Sequence, residues 1–199
     1  MTVPGRTARA ATAGATDPLL LWQHAAMTTT RLLELGDAEA LAGLVARNRE
    51  FLAPWEPARL ETYFTLDGQV TVVTEALARY EDGGQLPRVI LDETGAVVGR
   101  INLNTIVRGP FQSASVGYWL AQQAGGRGLA SAAVAEMVTT GFRDLGLHRL
   151  EAGTIPENVR SQAVLLRNGF EQYGYAHRYL SIAGRWQDHL LFQRITEES

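Results

Sequence analysis

The 199-residue chain contains no cysteine and no lysine. Without cysteine there is no disulfide, no thiolate metal ligand and no cysteine nucleophile. Without lysine there is no Walker-type phosphate lysine, no side chain that forms a Schiff base with pyridoxal phosphate, and no lysine base. All 18 strongly basic side chains are therefore arginines.

Other marks of common function classes are also missing. No apolar run reaches the roughly 18 residues that a membrane-spanning helix requires. The net charge of −3 gives no basic surplus for binding nucleic acid. The four histidines have no metal-ligand spacing, and there is no Gly-x-Ser-x-Gly motif of a serine hydrolase. We therefore expect a cytoplasmic protein that uses no metal and binds neither membranes nor nucleic acid.

The length and the 46% hydrophobic content favour one globular domain with a substantial core. The first 26 residues are biased towards alanine and threonine. Their apolar stretch, Leu19 to Trp22, is shorter than the roughly 7–15 residues of a secretory signal. We expect residues 1–26 to form a poorly ordered leader and residues 27–199 to form the domain.

Hydrophobic periodicity predicts a strand, two helices, an antiparallel meander, a long helix, a strand, a short helix and a final hairpin. Asp37 caps the first helix, which is expected to run through Phe51. The turn Asp92–Gly95 separates two meander strands, and the long helix is expected over 129–145. Because helices and strands do not alternate as βαβ units, this order predicts an α+β fold.

A glycine-rich segment, Gln122–Ser131, lies between the last meander strand and the long helix. Its glycines permit close approach of a ligand to the backbone. The free N–H groups at the helix start, with the helix dipole behind them, form a site for a phosphate anion. Alternatively, the segment only turns the chain from strand to helix.

Part of this segment, Gly126-x-Gly128, resembles the start of a dinucleotide fingerprint, and Glu151 lies at a suitable distance downstream for a ribose hydroxyl. An NAD-dependent oxidoreductase is therefore an alternative. It is weakened because Ser131 occupies the third glycine position. It is weakened further because the preceding strands are antiparallel, whereas Rossmann folds begin with the motif and then alternate.

Two motifs together resemble the GNAT superfamily of acyl-CoA-dependent N-acetyltransferases. The segment Gln123-Ala-Gly-Gly-Arg-Gly128 is similar to its pyrophosphate motif, Gln/Arg-x-x-Gly-x-Gly/Ala. The segment from Asn158 and Ser161 to Gly169-Phe170 is similar to its second signature. Three further segments resemble RimJ/RimL-type ribosomal-protein-alanine N-acetyltransferases, namely 48–57, 107–112 and 184–189.

The resemblance implies a mixed central sheet that splays at the strand before the glycine loop, flanked by about four helices, with acetyl-CoA as co-substrate. In that family the pantetheine arm pairs with the edge of this strand. Asn158 would hold a pantetheine amide, or it would only cap the helix that it begins. The residues that the resemblance assigns to the cofactor are Tyr118, Trp119, Leu120, Gln123, Gly126, Arg127, Gly128, Leu129, Ala130, Ser131, Asn158 and Ser161.

Two side chains are expected to have catalytic roles. Ser161 is the candidate proton donor to the departing thiolate, although it is also placed to be a partner of the Asn158 cap. Glu56 is the candidate that orients the acceptor ammonium and relays its proton through water. Trp55 either contacts the acceptor or only packs.

Other polar residues are weighed against these. Glu151 is an alternative base, because burial raises the pKa of a carboxyl group into a range useful for proton transfer. His189 and Asp188 lie in a strand expected to close the acceptor side, and we assign them a structural role in the hairpin.

The resemblance implies that the acceptor is the α-amine of a protein N-terminus, for example a ribosomal protein that begins with alanine or serine. An α-amine has a pKa of about 8, whereas a lysine amine has a pKa of about 10.4 and is almost wholly charged at neutral pH. An α-amine therefore suits a site without an obvious strong base. A small-molecule amine as acceptor, or a non-catalytic acyl-CoA sensor, is an alternative, and the sequence is compatible with a homodimer.

Overall fold

The computed structural model describes residues 29–196, and the predicted leader, residues 1–26, lies outside them. The strands of its mixed sheet are β1 (Thr30–Leu32), β2 (Leu86–Leu91), β3 (Val97–Val107), β4 (Ser113–Leu120), β5 (Arg149–Thr154), β6 (Glu171–Ile182) and β7 (Arg185–Ile195). Their order is β1-β2-β3-β4-β5-β7-β6. Only β4 and β5, among the strands of residues 29–196, pair in parallel. The predicted meander and the α+β class are therefore confirmed.

The α-helices of residues 29–196 are α1 (Ala38–Arg47), α2 (Arg49–Leu52), α3 (Leu66–Glu81), α4 (Leu129–Thr139) and α5 (Val159–Arg167). The predicted first helix is interrupted at Asn48, which separates α1 from α2. The Asn48 amide nitrogen donates to the Leu44 carbonyl at 2.9 Å. A short polar side chain that binds the backbone in this way competes with regular helix formation.

The long helix after the glycine loop has the predicted extent but changes its geometry near its end. The α-helical part of α4 ends at Thr139, and one π-helical turn continues over Thr140–Asp144. Together they cover almost all of the expected span, 129–145. None of the helices within residues 29–196 is long and apolar enough to cross a bilayer.

The sheet buries side chains on both faces, because neighbouring residues of a strand point in opposite directions. Ile90 belongs to the larger cluster, which also contains Leu103 of β3 and Met137 of α4. Val89, the residue before it, belongs to a second cluster with Val73 of α3. Helices α4 and α5 therefore cover one face, and α1 and α3 cover the other.

Strands β4 and β5 separate soon after they meet. Their pairing is limited to three residues on each strand, from Ser113–Arg149 to Ser115–Glu151. Beyond that point β4 continues against β3 to Leu120, whereas β5 continues against β7 to Thr154. The predicted splay at the strand before the glycine loop is confirmed, and it leaves one edge of β4 unpaired.

Candidate active site

A cleft of about 210 Å³ lies where β4 and β5 separate. The loop after α2, the edges of both strands, the start of α5 and the β6–β7 hairpin contribute to its walls. The structure thus brings together residues as far apart in the sequence as Leu52 and His189. The predicted site residues that line this cleft are Trp55, Glu56, Tyr118, Trp119, Asn158 and Ser161.

The glycine loop lies at the end of β4 and turns directly into α4. Gly126 and Gly128 have φ angles of +78° and +80°, which favour glycine, and Gly128 is the N-cap of α4. A Cβ atom at either position would meet nothing within 4 Å. The first intrahelical bond runs from Ala132 N–H to the Gly128 carbonyl. The N–H groups of Leu129–Ser131 therefore have no intrahelical acceptor, and they face an open region that suits a phosphate group.

Two polar side chains of the loop form hydrogen bonds or ion pairs with residues outside it. Arg127 forms an ion pair with Glu93 of the β2–β3 turn. Ser131 Oγ accepts a hydrogen bond from the Asn168 amide nitrogen at 3.2 Å. Gln123 lies exposed in a short 3-10 turn. The charge of Arg127 is thus shared with a carboxylate, which leaves the backbone amides as the main groups of the loop that are available to an anion.

Asn48 also fixes the start of this loop, a role that the sequence reasoning did not assign. Its side-chain oxygen accepts a hydrogen bond from the Gln122 N–H at 2.8 Å, although the two residues are 74 positions apart. The side chain is buried and joins α1 to the end of β4. The only local sequence signal is an asparagine within the predicted first helix, a residue type whose side chain competes with regular helix formation.

A pair of hydroxyl groups crosses the cleft between β4 and α5. The oxygens of Tyr118 and Ser161 lie 2.9 Å apart, and Tyr118 also donates to the Ser161 carbonyl at 3.3 Å. Burial raises the pKa of Tyr118 to about 12, against the smaller opposite effect of the Ser161 bond. Tyr118 is therefore a neutral donor throughout the physiological pH range. The resemblance assigned Tyr118 to the cofactor through the edge of its strand and gave the tyrosine hydroxyl group no role.

Asn158 caps α5, as its alternative structural role predicted. Its side-chain oxygen accepts a hydrogen bond from the Ser161 N–H at 3.1 Å. Ser161 therefore contributes its N–H group to the cap, and its hydroxyl group bonds Tyr118 instead. Because the cap uses only the oxygen of the Asn158 amide, capping leaves the amide nitrogen of the same side chain for a ligand in the cleft.

We expect Tyr118→Phe to lower kcat for acetyl transfer by roughly five- to tenfold, since a hydrogen bond contributes about 1 kcal/mol. The ring that packs against the main core is kept, so CoA affinity and the melting temperature should change little. Steady-state kinetics and calorimetric titration with CoA check both statements. Tyr80→Phe, at an exposed position of α3, is the matched control. Equal kcat in the two variants would show that the hydroxyl pair has no part in the reaction.

Glu56 lines the same cleft as the hydroxyl pair. Burial raises the pKa of its carboxyl group, against the charges of Arg59 and Arg100. Its loop is tied to the β6–β7 turn, because the Glu56 carbonyl accepts a hydrogen bond from Ala183 N–H at 2.9 Å. Glu56 also lines a neighbouring cavity of about 320 Å³, together with Arg59 and Tyr63. The Glu56 carboxyl group is thus partly removed from water, and it lies where the two cavities meet.

Glu151, the alternative base, has a different environment. It lies at the last paired position of β4 and β5, before the two strands separate. Its carboxylate accepts hydrogen bonds from Ser113 at 3.3 Å and from Tyr173 at 2.8 Å. It does not line the cleft. The geometry therefore favours Glu56 over Glu151 as the acid next to an acceptor.

Two residues with polar side chains line the cleft but were not among the predicted site residues. His189 of β7 is 3% exposed, and its Nδ1 lies 3.1 Å from the Gln187 carbonyl oxygen. Thr154 of β5 has a buried hydroxyl group with no hydrogen-bond partner within residues 29–196. No cluster of His, Asp and Glu within the same residues could hold a metal ion. Strand alternation could have indicated that both residues are buried, but not that they border a gap in the sheet.

The fold and the cleft match known proteins. An acetyltransferase (GNAT) domain model matches residues 28–171. The ribosomal protein uS5-alanine N-acetyltransferase of Escherichia coli (strain K12) is 35% identical over 162 residues, which cover 81% of this chain and 84% of that protein. The crystal structure of ribosomal-protein-S5-alanine acetyltransferase from Vibrio fischeri has 34% identity and a TM-score of 0.81, covering 85% of this chain and 93% of that one.

A cofactor complex is also among the similar structures. Mycobacterium smegmatis RimJ in complex with CoA-disulfide has 34% identity and a TM-score of 0.81, with coverage of 85% of this chain and 82% of that one. The relatives are named as N-acetyltransferases, which argues against the sensor and oxidoreductase alternatives. With a matching family model, a shared fold and a splayed sheet, the chain belongs to the GNAT family of N-acetyltransferases and is close to its ribosomal-protein acetyltransferases.

Proposed function

We propose that this enzyme transfers the acetyl group of acetyl-CoA to the N-terminal α-amine of a cytoplasmic polypeptide, a ribosomal protein that begins with alanine or serine. The observation that carries the proposal is the position of the cleft. It joins the unpaired edge of β4, which leads to the glycine loop, to the half-buried carboxyl group of Glu56. The names of the relatives, which include ribosomal-protein-alanine acetyltransferases, support the choice of acceptor.

The residues of the cleft fit an acyl-CoA thioester. The backbone amides of Gly126–Ser131 would bind the pyrophosphate, because the loop is open and the helix dipole favours an anion there. The unpaired edge of β4 at Tyr118–Leu120 would hydrogen-bond the pantetheine arm. The Asn158 amide nitrogen and the unpartnered Thr154 hydroxyl group offer two further contacts from the facing wall.

The acceptor would meet the thioester from the side of Glu56. An ionised Glu56 attracts the ammonium group of the acceptor. The carboxylate takes one ammonium proton and passes it to water, which leaves a neutral amine. The Ser161 hydroxyl group donates a hydrogen bond to the departing thiolate. Tyr118 would then donate its one hydrogen to the Ser161 oxygen across the 2.9 Å contact and not to the Ser161 carbonyl, which leaves the serine hydrogen for the thiolate. The Ser161 hydroxyl group thus acts on the negative charge that develops on sulfur during the reaction, where a positioned donor is most effective.

A peptide with a free N-terminal alanine and one internal lysine tests the proposal. We expect acetyl-CoA to modify the α-amine and to leave the lysine unmodified, because only the α-amine is appreciably neutral at pH 7 to 8. Tandem mass spectrometry locates the added acetyl group.

The same peptide with an acetylated N-terminus is the control and should not react. Polyamines and aminoglycosides form a parallel set of acceptors. Transfer to the lysine alone, or to a small amine but not to the peptide, would overturn the proposed acceptor without affecting membership of the family.

A further inference from the structure

We propose that His189 is a further catalytic residue, whose Nε2 accepts a proton from the acceptor nitrogen when that nitrogen attacks the thioester. This inference rests on the proposed function. An ammonium group loses two protons on its way to an amide, one before the attack and one after it. Glu56 accounts for the first. None of the site residues predicted from the sequence accepts the second.

The position of His189 meets the first requirement for such a base. It lines the cleft together with Glu56 and Ser161, and its side chain is almost completely buried. The Cδ2 atom, which is bonded to Nε2, lies next to Gly153 of β5, where a Cβ atom would be 3.4 Å away. Gly153 also lines the cleft, and because it has no side chain, no atom beyond its backbone stands between the Cδ2–Nε2 edge of the ring and the cleft.

The hydrogen bonding of the ring decides which nitrogen is available. Nδ1 lies 3.1 Å from the Gln187 carbonyl oxygen, which can only accept a hydrogen bond. Nδ1 therefore carries the hydrogen, and in the neutral ring Nε2 has the free lone pair. The Gln187 carbonyl is the only hydrogen-bond partner of this ring within residues 29–196. Tyr179 packs against the ring at a centroid distance of 5.4 Å and fixes its tilt.

The step balances in atoms and electrons. The nitrogen lone pair forms the new N–C bond, and the C–S bond breaks with its electron pair on sulfur. One N–H proton moves to Nε2, which makes His189 an imidazolium that later returns the proton to water. The Ser161 hydroxyl group donates a hydrogen bond to the thiolate. No oxidant, metal or further reactant is needed.

Three kinds of titratable group surround the imidazole and bear on a pH test. Glu56 lines the same cleft, and so does Tyr118 of β4. Tyr179 of β6 contacts the ring. On its own strand, Asp188 has a pKa of about 2, lowered first by the Arg178 N–H bond and then by Tyr175. Asp188 is therefore a constant charge over the pH range of the test, whereas burial raises the pKa of Glu56, the acid with which the variants must be compared.

His189→Asn is the decisive variant, since the amide nitrogen of asparagine takes roughly the place of Nδ1 and keeps a donor for the Gln187 carbonyl. With the N-terminal peptide we expect kcat to fall at least about 100-fold, as for loss of a general base. KM for the peptide and the calorimetric affinity for CoA should change less than about threefold. The shape of the kcat–pH profile should also change, which a packing role would not cause.

His177→Asn is the matched control, because His177 lies exposed on the same hairpin and bonds Asp188 outside the cleft. It should behave as the wild type. His189→Ala with added imidazole is a second route, and partial recovery of kcat supports the proposal. An unchanged kcat and pH profile in His189→Asn would overturn it, as would equal losses of melting temperature, CoA affinity and activity. If the wild type modifies no peptide N-terminus, the proposed function itself is wrong.

Discussion

Gly128→Glu is expected to abolish measurable CoA binding, with the dissociation constant raised more than about 100-fold, or about 2.7 kcal/mol. Gly128 is the N-cap of α4, and the space in front of it is open. A glutamate there would put a side chain and a negative charge where the pyrophosphate must lie. Isothermal titration with CoA and with acetyl-CoA measures the loss directly.

The same substitution should leave the protein folded. A non-glycine residue at a φ of +80° costs about 1–2 kcal/mol in backbone strain. A carboxylate at a helix N-terminus recovers about 0.3–1 kcal/mol through the helix dipole. The net effect is a small part of the stability of an ordinary domain.

Gly83→Glu is the matched control for this experiment. Gly83 also has a positive φ, of +72°, and open space around it, but it follows α3 far from the glycine loop along the chain. Full CoA affinity in Gly83→Glu and none in Gly128→Glu is the expected pair of results. Wild-type affinity in Gly128→Glu would remove the glycine loop from the cofactor site.

The elements of this fold could be predicted where the signal is local. The turn Asp92–Gly95 and the glycine loop depend on glycines whose neighbours in sequence decide the backbone, and both lie where they were expected. The break at Asn48 could not be predicted in the same way. It depends on a hydrogen bond to Gln122, 74 residues later, that no periodicity records.

The glycine loop and the start of α5 could be located from the sequence, whereas the wall that the β6–β7 hairpin adds to the cleft could not. The glycine loop and Asn158 were each indicated by a motif that is one continuous segment of the sequence. The position of His189 instead follows from the register of β6 and β7, which shifts between Ala176 and Leu180. Such a bulge changes which side chains face the cleft, and alternation of residue types does not show where it occurs. The contact of Tyr118 with Ser161 likewise joins a strand to a helix 43 residues away.

Glu56→Gln is expected to lower kcat/KM for the N-terminal peptide roughly 100-fold at pH 7, mainly through a higher KM. The amide no longer attracts an ammonium group or passes on its proton. The variant therefore depends on the amine that is already neutral in solution, and its pH–rate profile moves to higher pH, towards the α-amine pKa of about 8. CoA affinity should stay at the wild-type value. Steady-state kinetics between pH 6 and 9 measure these changes.

Glu75→Gln and Glu151→Gln are the comparisons that identify the acid. Glu75 lies exposed on α3 with Arg79 as its partner, so its substitution should have no kinetic effect. Glu151 was the alternative base, and Glu151→Gln should lower activity less than Glu56→Gln does. The reverse order would transfer the role to Glu151, and wild-type kinetics in Glu56→Gln would exclude Glu56 from the acceptor site.

Glu56→Gln should also be more heat-stable than the wild type at neutral pH. Because burial raises the pKa of Glu56 in the folded protein, the folded state binds the proton more tightly than the unfolded state does. The wild type therefore loses stability as the pH rises from the ordinary glutamate pKa, about 4.3, through the raised value, whereas the glutamine variant does not. The difference in melting temperature should be small at pH 4, grow across this interval and then stay constant. A variant that loses acceptor affinity while its melting temperature rises identifies Glu56 as a functional acid that the fold holds at a cost in stability.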